Sequence, residues 1–155
     1  MKTVSIRRAM KSDLTAILHL YTQPEMDNGQ ILSLEEAEVL FDKFYQYPSY
    51  RVFVACDGEL VVGSFALLIM ENLAHKGTPS GVVEDVVVAV EHQNKGIGKQ
   101  MMRFAVNECR NAGCYKMILS SNLRRLGAHR FYESLGFEKH GYSFVIRMEK
   151  SDSDS

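Results

Sequence analysis

Three consecutive signals near the middle of this 155-residue chain constrain its fold more than anything else in it. Residues 82–90 carry valine on both faces, which suits a central strand covered from both sides. Residues 93–99, QNKGIGK, then form a glycine-containing turn. Beyond it Ile97, Met101, Ala105 and Cys109 recur on one stripe, as an amphipathic helix requires, and Gly113 is well placed to end that helix. A buried strand feeding a glycine turn and a packed helix is a unit of α/β architecture, because the helix must return its apolar stripe to the sheet.

The flanking sequence extends that unit. Residues 3–8 read as a strand, and Ser12 or Asp13 can cap a helix beginning at Leu14. Residues 23–30 are turn-rich. Ser33 and Glu36 form a capping box before a second helix that ends before Pro48. Residues 51–56, the turn Asp57-Gly58 and residues 59–70 read as a hairpin. After the central unit come a strand over 115–120, a short helix over 128–135 closed by Gly136, and a last strand over 137–148. That strand would place Tyr142, Phe144, Ile146 and Met148 on one face. The order β-α-α-β-β-β-α-β-α-β predicts an α/β (α+β) fold, a mixed central sheet flanked by helices, with residues 1–150 as one domain. The polar tail 151–155 is expected to be disordered.

The glycine turn has chemical meaning because of where it sits. A helix start offers unpaired backbone N–H groups and a partial positive charge, a ready phosphate site, and glycine lets a diphosphate approach the main chain. Lys95 and Lys99 add positive charge. The same residues also serve as a plain helix start. Two known phosphate loops do not fit. A P-loop would need glycine where Gln93 stands and a hydroxyl where Gln100 stands, and a dinucleotide fingerprint would need glycine at Met101.

The segment resembles the [QR]-x-x-G-x-[GA] motif of the GNAT N-acetyltransferase superfamily, with Gln93, Gly96 and Gly98 in place. The stretch Ala128-His129-Arg130-Phe131-Tyr132-Glu133-Ser134-Leu135-Gly136-Phe137 is similar to its A-x-x-F-Y-x-x-x-G-F segment. The resemblance, clear over residues 81–148, implies the GNAT fold and transfer of acetyl from acetyl-CoA to an amine. It further implies that Gln93, Asn94, Lys95, Gly96, Ile97, Gly98 and Lys99 hold the coenzyme's pyrophosphate. The backbone of Val86, Val87 and Val88 would pair with its pantetheine arm. The common asparagine slot before the second motif holds Arg125, while Asn122 lies earlier, among Arg124, Arg125 and Arg130. Asn122 is therefore a candidate coenzyme contact. The arginines are candidate phosphate contacts or a solvated helix face.

Acetyl transfer needs a deprotonated amine, a stabilised oxyanion and a thiolate able to leave. Tyr132 by spacing alone is a packing aromatic beside Phe131; the resemblance makes it the acid at the sulfur, since a phenol is protonated at neutral pH. Glu84 and Asp85 interrupt the valine strand and, in a regular strand, point to opposite faces. Glu84 is the favoured base and Asp85 the alternative, either binding the ammonium or accepting its proton through water. A main-chain N–H near Val86 is the expected oxyanion donor.

Similarities to glucosamine-6-phosphate N-acetyltransferases (residues 81–88 and 113–119) and to aminoalkylphosphonate N-acetyltransferases (119–132) point to a small phosphorylated or phosphonate amine. A peptide N-acetyltransferase and a non-catalytic acyl-CoA sensor are the alternatives. A net charge of −1 argues against a nucleic-acid partner, and the absence of a long apolar run argues against a membrane span. Five scattered histidines and three cysteines without CxxC spacing predict no metal and no disulfide framework, and fit a reducing cytoplasm. The alternating apolar face of the last strand leaves room for a homodimer.

Overall fold

The computed structural model of the chain describes residues 1–27 and 29–148. The tail expected to be disordered, 151–155, lies outside the described residues. The chain divides into two units, Met1–Leu119 and Ser120–Ser155.

The first unit is built on a mixed sheet. Its strands are β1 (Ser5–Arg8), β2 (Tyr50–Asp57), β3 (Leu60–Met70), β4 (Ser80–Val88) and β5 (Met117–Leu119), in that spatial order. Consecutive pairs run antiparallel until β4, which pairs with β5 in parallel. The hairpin turn falls one residue later than Asp57-Gly58 predicts: Asp57 still pairs with Leu60, and the loop is Gly58-Glu59, with Gly58 at φ +60°, the left-handed region such turns demand. Strand faces alternate as a pleat requires. Val54 and Cys56 join the cluster under α1 (Leu14–Tyr21) and α2 (Leu34–Phe44), with Leu14, Ile17, Leu18, Ala37 and Phe41. Phe53 and Phe65 stack at 5.2 Å and meet Phe104 of α3 (Ile97–Asn111) edge-on.

The expected stripe on α3 is buried throughout: Ile97, Met101, Ala105 and Cys109 are at most 4% exposed. The Ser33–Glu36 capping box opens α2, with Glu36 N–H donating to Ser33 Oγ and Ser33 N–H donating to the Glu36 carboxylate. Neither Ser12 nor Asp13 caps α1 through its side chain. A 3-10 turn at Lys11–Asp13 precedes α1, and the Asp13 carboxylate turns back to accept from Met10 N–H at 2.7 Å and from both Arg7 guanidinium nitrogens at 2.7 and 2.9 Å. An ion pair available to Asp13 thus takes the place of the local cap.

The second unit contains α4 (Leu126–Ser134), closed at Gly136, whose φ of +92° only glycine adopts at no steric cost. The strand expected over 137–148 is not formed. Tyr142, Phe144, Ile146 and Met148 are 79–93% exposed. Alternation makes a segment able to be a strand, but a strand also needs a neighbour's N–H and C=O groups, which alternation does not supply.

Candidate active site

In the first unit, two departures from regular β structure shape the region around β4. The first is on its β5 side. The parallel ladder joins Gly81–Val83 to Met117–Leu119 and stops there, so the β5-facing edge from Glu84 to Val88 has no strand against it. The second is on its β3 side. Ser64 pairs with Val87 and Ala66 with Glu84, so Asp85 and Val86 together oppose Phe65, a β-bulge. Asp85 sits in the left-handed region at φ +54°, a conformation that costs a non-glycine residue energy and is more accessible to Asp than to most.

The bulge interrupts the strict alternation on which the expectation that Glu84 and Asp85 point to opposite faces rests. Both are exposed, and both carboxylates act on the Tyr50 phenol, which is raised by burial first and then by Asp85 and Glu84. Glu84 is itself raised by desolvation and by Asp85; Asp85 is raised by desolvation and by Asp27. Tyr21, at the end of α1, is raised above its ordinary 10 mainly by burial and then by Asp85. Ser64, buried in β3, donates its Oγ–H to Phe53 O at 2.9 Å. Tyr21, Asp27 and Tyr50 were not legible as site residues, because each lies in a different element from β4. Each of these shifts favours the neutral acid, since desolvation and like charge both penalise the anion.

Past β4, the chain turns through residues 93–96 into α3. Gln93 Nε2 donates to Val88 O at 3.2 Å, so this side chain braces the turn against the strand end. Gln23 Nε2 donates to the same carbonyl at 3.1 Å. Asn94 and Gly96 both have positive φ, +60° and +80°. Gly96 is the N-cap of α3 and, lacking a side chain, provides no side-chain cap; the first i to i−4 bond is Gln100 N–H to Gly96 O at 3.2 Å. The amides of Ile97, Gly98 and Lys99 precede that bond and therefore have no partner within the helix. Gln93, Asn94 and Lys95 are exposed beside them. Gly96 at φ +80° holds a backbone conformation that L side chains rarely adopt, and a Cβ there would meet the Met1 side chain, Cγ at 2.6 Å.

The second unit holds the remaining sequence candidates. Tyr132 is half-buried on α4, its ring 5.3 Å from Phe131 and 5.6 Å, edge-on, from Phe137. Burial raises its phenol above the ordinary 10 and Arg125 opposes that. Asn122 spends its side chain locally: Oδ1 accepts from Arg124 N–H at 2.9 Å, and its carbonyl meets His129 Nε2 at 2.8 Å. Arg124, Arg125 and Arg130 are exposed. Among the described residues no group of three or more His, Cys, Asp or Glu is arranged to hold a metal ion, and no helix is long and apolar enough to cross a membrane.

Known proteins were compared with the chain. The profile of the acetyltransferase (GNAT) family matches residues 12–137. The glucosamine 6-phosphate N-acetyltransferase of Trypanosoma brucei brucei is 30% identical over 88% of this chain and 90% of its own. The aminoalkylphosphonate N-acetyltransferase of Salmonella typhimurium is 33% identical over 55% of this chain and 54% of its own. Among solved structures, a putative acetyltransferase from Agrobacterium tumefaciens superposes with a TM-score of 0.85 at 32% identity, covering 93% of this chain and 99% of that one.

Proposed function

The chain belongs to the acetyltransferase (GNAT) family and is an acyltransferase, and from that premise we propose that it moves acetyl from acetyl-CoA to a small primary amine bearing a phosphate or phosphonate group. The observation that carries the donor side is the uncapped, glycine-led start of α3 next to a β4 edge that β5 leaves unpaired. Free amides at a helix start suit a diphosphate, with Lys95 and Lys99 adding charge. An unpaired strand edge from Glu84 to Val88 suits the amide groups of a pantetheine arm, which takes the place of a neighbouring strand.

In this reading the chain's own groups divide the work. The N–H near Val86, in the bulge, donates to the oxyanion. Asp85, the carboxylate nearer Asp27 and Tyr21, holds the substrate ammonium, and Glu84 takes its proton through water. A carboxyl raised above its ordinary value is the stronger base when ionised, which favours that proton transfer. Tyr132, protonated at neutral pH, supplies the acid for the departing thiolate. Three acids near one bulge give a sensor no benefit, which favours catalysis over a purely coenzyme-binding role.

The substrate class rests on the activities of the two relatives, a glucosamine 6-phosphate and an aminoalkylphosphonate N-acetyltransferase, whose amines carry an anionic phosphorus group. Thiol release from acetyl-CoA measures it directly: glucosamine 6-phosphate and an aminoalkylphosphonate are compared with their unphosphorylated counterparts and with lysine-bearing peptides. Turnover confined to the peptides would reject the small-amine reading. The cradle is tested separately with Gly96→Val, since a β-branched residue cannot hold φ near +80° without strain and the α3 amides must then re-aim. Coenzyme A affinity by calorimetry should fall at least about tenfold, or 1.4 kcal/mol, while the helical signal is kept. Unchanged affinity would show that the diphosphate binds elsewhere.

A further inference from the structure

The C-terminus of α3 lies outside the proposed chemistry. Its last residue is Asn111, the C-cap is Ala112, and Gly113 follows at φ +76°. Cys114 N–H donates to Cys109 O at 2.9 Å and Gly113 N–H to Arg110 O at 3.0 Å. These are the two bonds of a Schellman motif, in which the residue after the left-handed glycine packs on the residue five positions earlier. In most proteins that contact joins two apolar side chains. Here both positions are cysteines, Cys109 and Cys114, joined through the backbone by the Cys114 N–H to Cys109 O bond.

We propose that Cys109 and Cys114 form an oxidation site, a dithiol that a hydroperoxide converts to an intramolecular disulfide closing the Schellman turn. The geometry favours it because a disulfide requires the two Cα atoms within roughly 4.4–6.8 Å. The two backbone bonds of the turn hold residues 109 and 114 next to each other, so closing the bond calls for side-chain rotation and not backbone movement. Exposure sets the order of events. Cys114 is half-buried and reachable, whereas Cys109 is 4% exposed, its Sγ filling the space above Gly81 at the start of β4. Burial first, then the neighbouring Cys114, push the Cys109 thiol up to about 12, so it suits the resolving role and not the attacking one.

The chemistry balances without a metal or cofactor. The Cys114 thiolate attacks one peroxide oxygen, the O–O bond breaks, and a sulfenic acid and one water result. The Cys109 sulfur then attacks the sulfenic sulfur, the S–O bond breaks, and a second water leaves with the Cys109 proton. Two thiols are oxidised by two electrons and one hydrogen peroxide is reduced to two waters. The bond would pin the connection between α3 and β5, where Tyr115 N–H donates to Pro79 O and Gly81 N–H to Lys116 O. Cys56, buried in β2, is the internal control.

The test treats the full chain with hydrogen peroxide, unfolds it, alkylates free thiols and digests it with trypsin. Cleavage at Arg103, Arg110 and Lys116 separates the two cysteines, so a disulfide appears as peptide 104–110 linked to peptide 111–116, two hydrogens lighter than their sum. That linked pair, with Cys56 alkylated, is the expected result. In Cys109→Ser the pair disappears and a sulfenic acid on Cys114, trapped by dimedone, replaces it. The proposal is overturned if wild type and Cys109→Ser give equal dimedone adduct, or if Cys114 proceeds to sulfinic acid while Cys109 is fully alkylated.

Discussion

Replacing Tyr132 with phenylalanine removes one hydroxyl and leaves everything else that places the residue. The ring contacts to Phe131 at 5.3 Å and Phe137 at 5.6 Å do not involve the oxygen. The carbonyl of residue 132 still accepts from Leu135 N–H at 3.0 Å and Phe137 N–H at 3.1 Å, because these are backbone bonds. Loss of a single hydroxyl is therefore expected to change stability by less than about 1 kcal/mol, or less than about 4 °C in thermal midpoint for a chain of this size. If the phenol protonates the leaving thiolate, its loss should lower kcat by about 10²–10⁴-fold, which is about 2.7–5.4 kcal/mol of transition-state stabilisation. Affinity for coenzyme A should hold. The pH profile adds a second readout. Burial raises this phenol above its ordinary 10, so the donor form persists and wild-type kcat should stay level until beyond pH 10. The assay is steady-state thiol release on the best amine, with calorimetry and thermal melts on both proteins. A variant of equal stability and equal coenzyme affinity that turns over at the parent rate would refute the reasoning, and the proton would have to come from solvent or the ammonium.

Glu84→Gln should flatten the acid limb of kcat/KM, a limb lying above the ordinary carboxyl value of 4.5 because burial and then Asp85 raise this group, whereas Asp85→Asn should chiefly raise KM for the amine; pH profiles of both variants separate the roles. Asp13 is 7% exposed and its carboxyl is held below the usual 3.8 by Arg7 first, against a desolvation cost, with help from Met10 N–H. A depressed folded-state value means its stabilisation is complete above about pH 4 and is lost as pH falls through that lowered value. Asp13→Asn should cost about 2 kcal/mol at neutral pH, less than a fully buried pair would, because the Arg7 side chain is 40% exposed; urea unfolding at pH 7 and pH 3 should show the difference shrinking in acid. Sedimentation at tens of micromolar, about the range of weak association, is expected to show a dimer that Phe144→Ser with Ile146→Ser returns to monomer; monomer alone in wild type would remove the pairing.

Local signals were legible from the sequence because their causes lie within a few residues. The Ser33–Glu36 box, the hairpin turn at Gly58, the α3 stripe and the glycines after α3 and α4 depend on dihedral preference, capping and helical period, all set by near neighbours. The family motifs were equally local, since a glycine turn and the helix start after it are contiguous in the chain. Where causes are distant the sequence was silent. Asp13 lies only six residues from Arg7, yet the ion pair that replaces its cap forms because the chain turns back between β1 and α1, which no periodic pattern marks. Residues 137–148 alternate like a strand, yet pattern alone supplies no paired edge, and the segment stays exposed. Glu84 and Asp85 were legible as acids, but their expected placement on opposite faces assumes strict alternation, which a bulge interrupts. Register is decided across the sheet, by Ser64 meeting Val87 and Ala66 meeting Glu84, and that one extra residue in β4 breaks the alternation at Asp85 and Val86. Tyr21, Asp27 and Tyr50 come to the bulge from α1, the loop behind it and β2 through packing, which one-dimensional spacing does not encode.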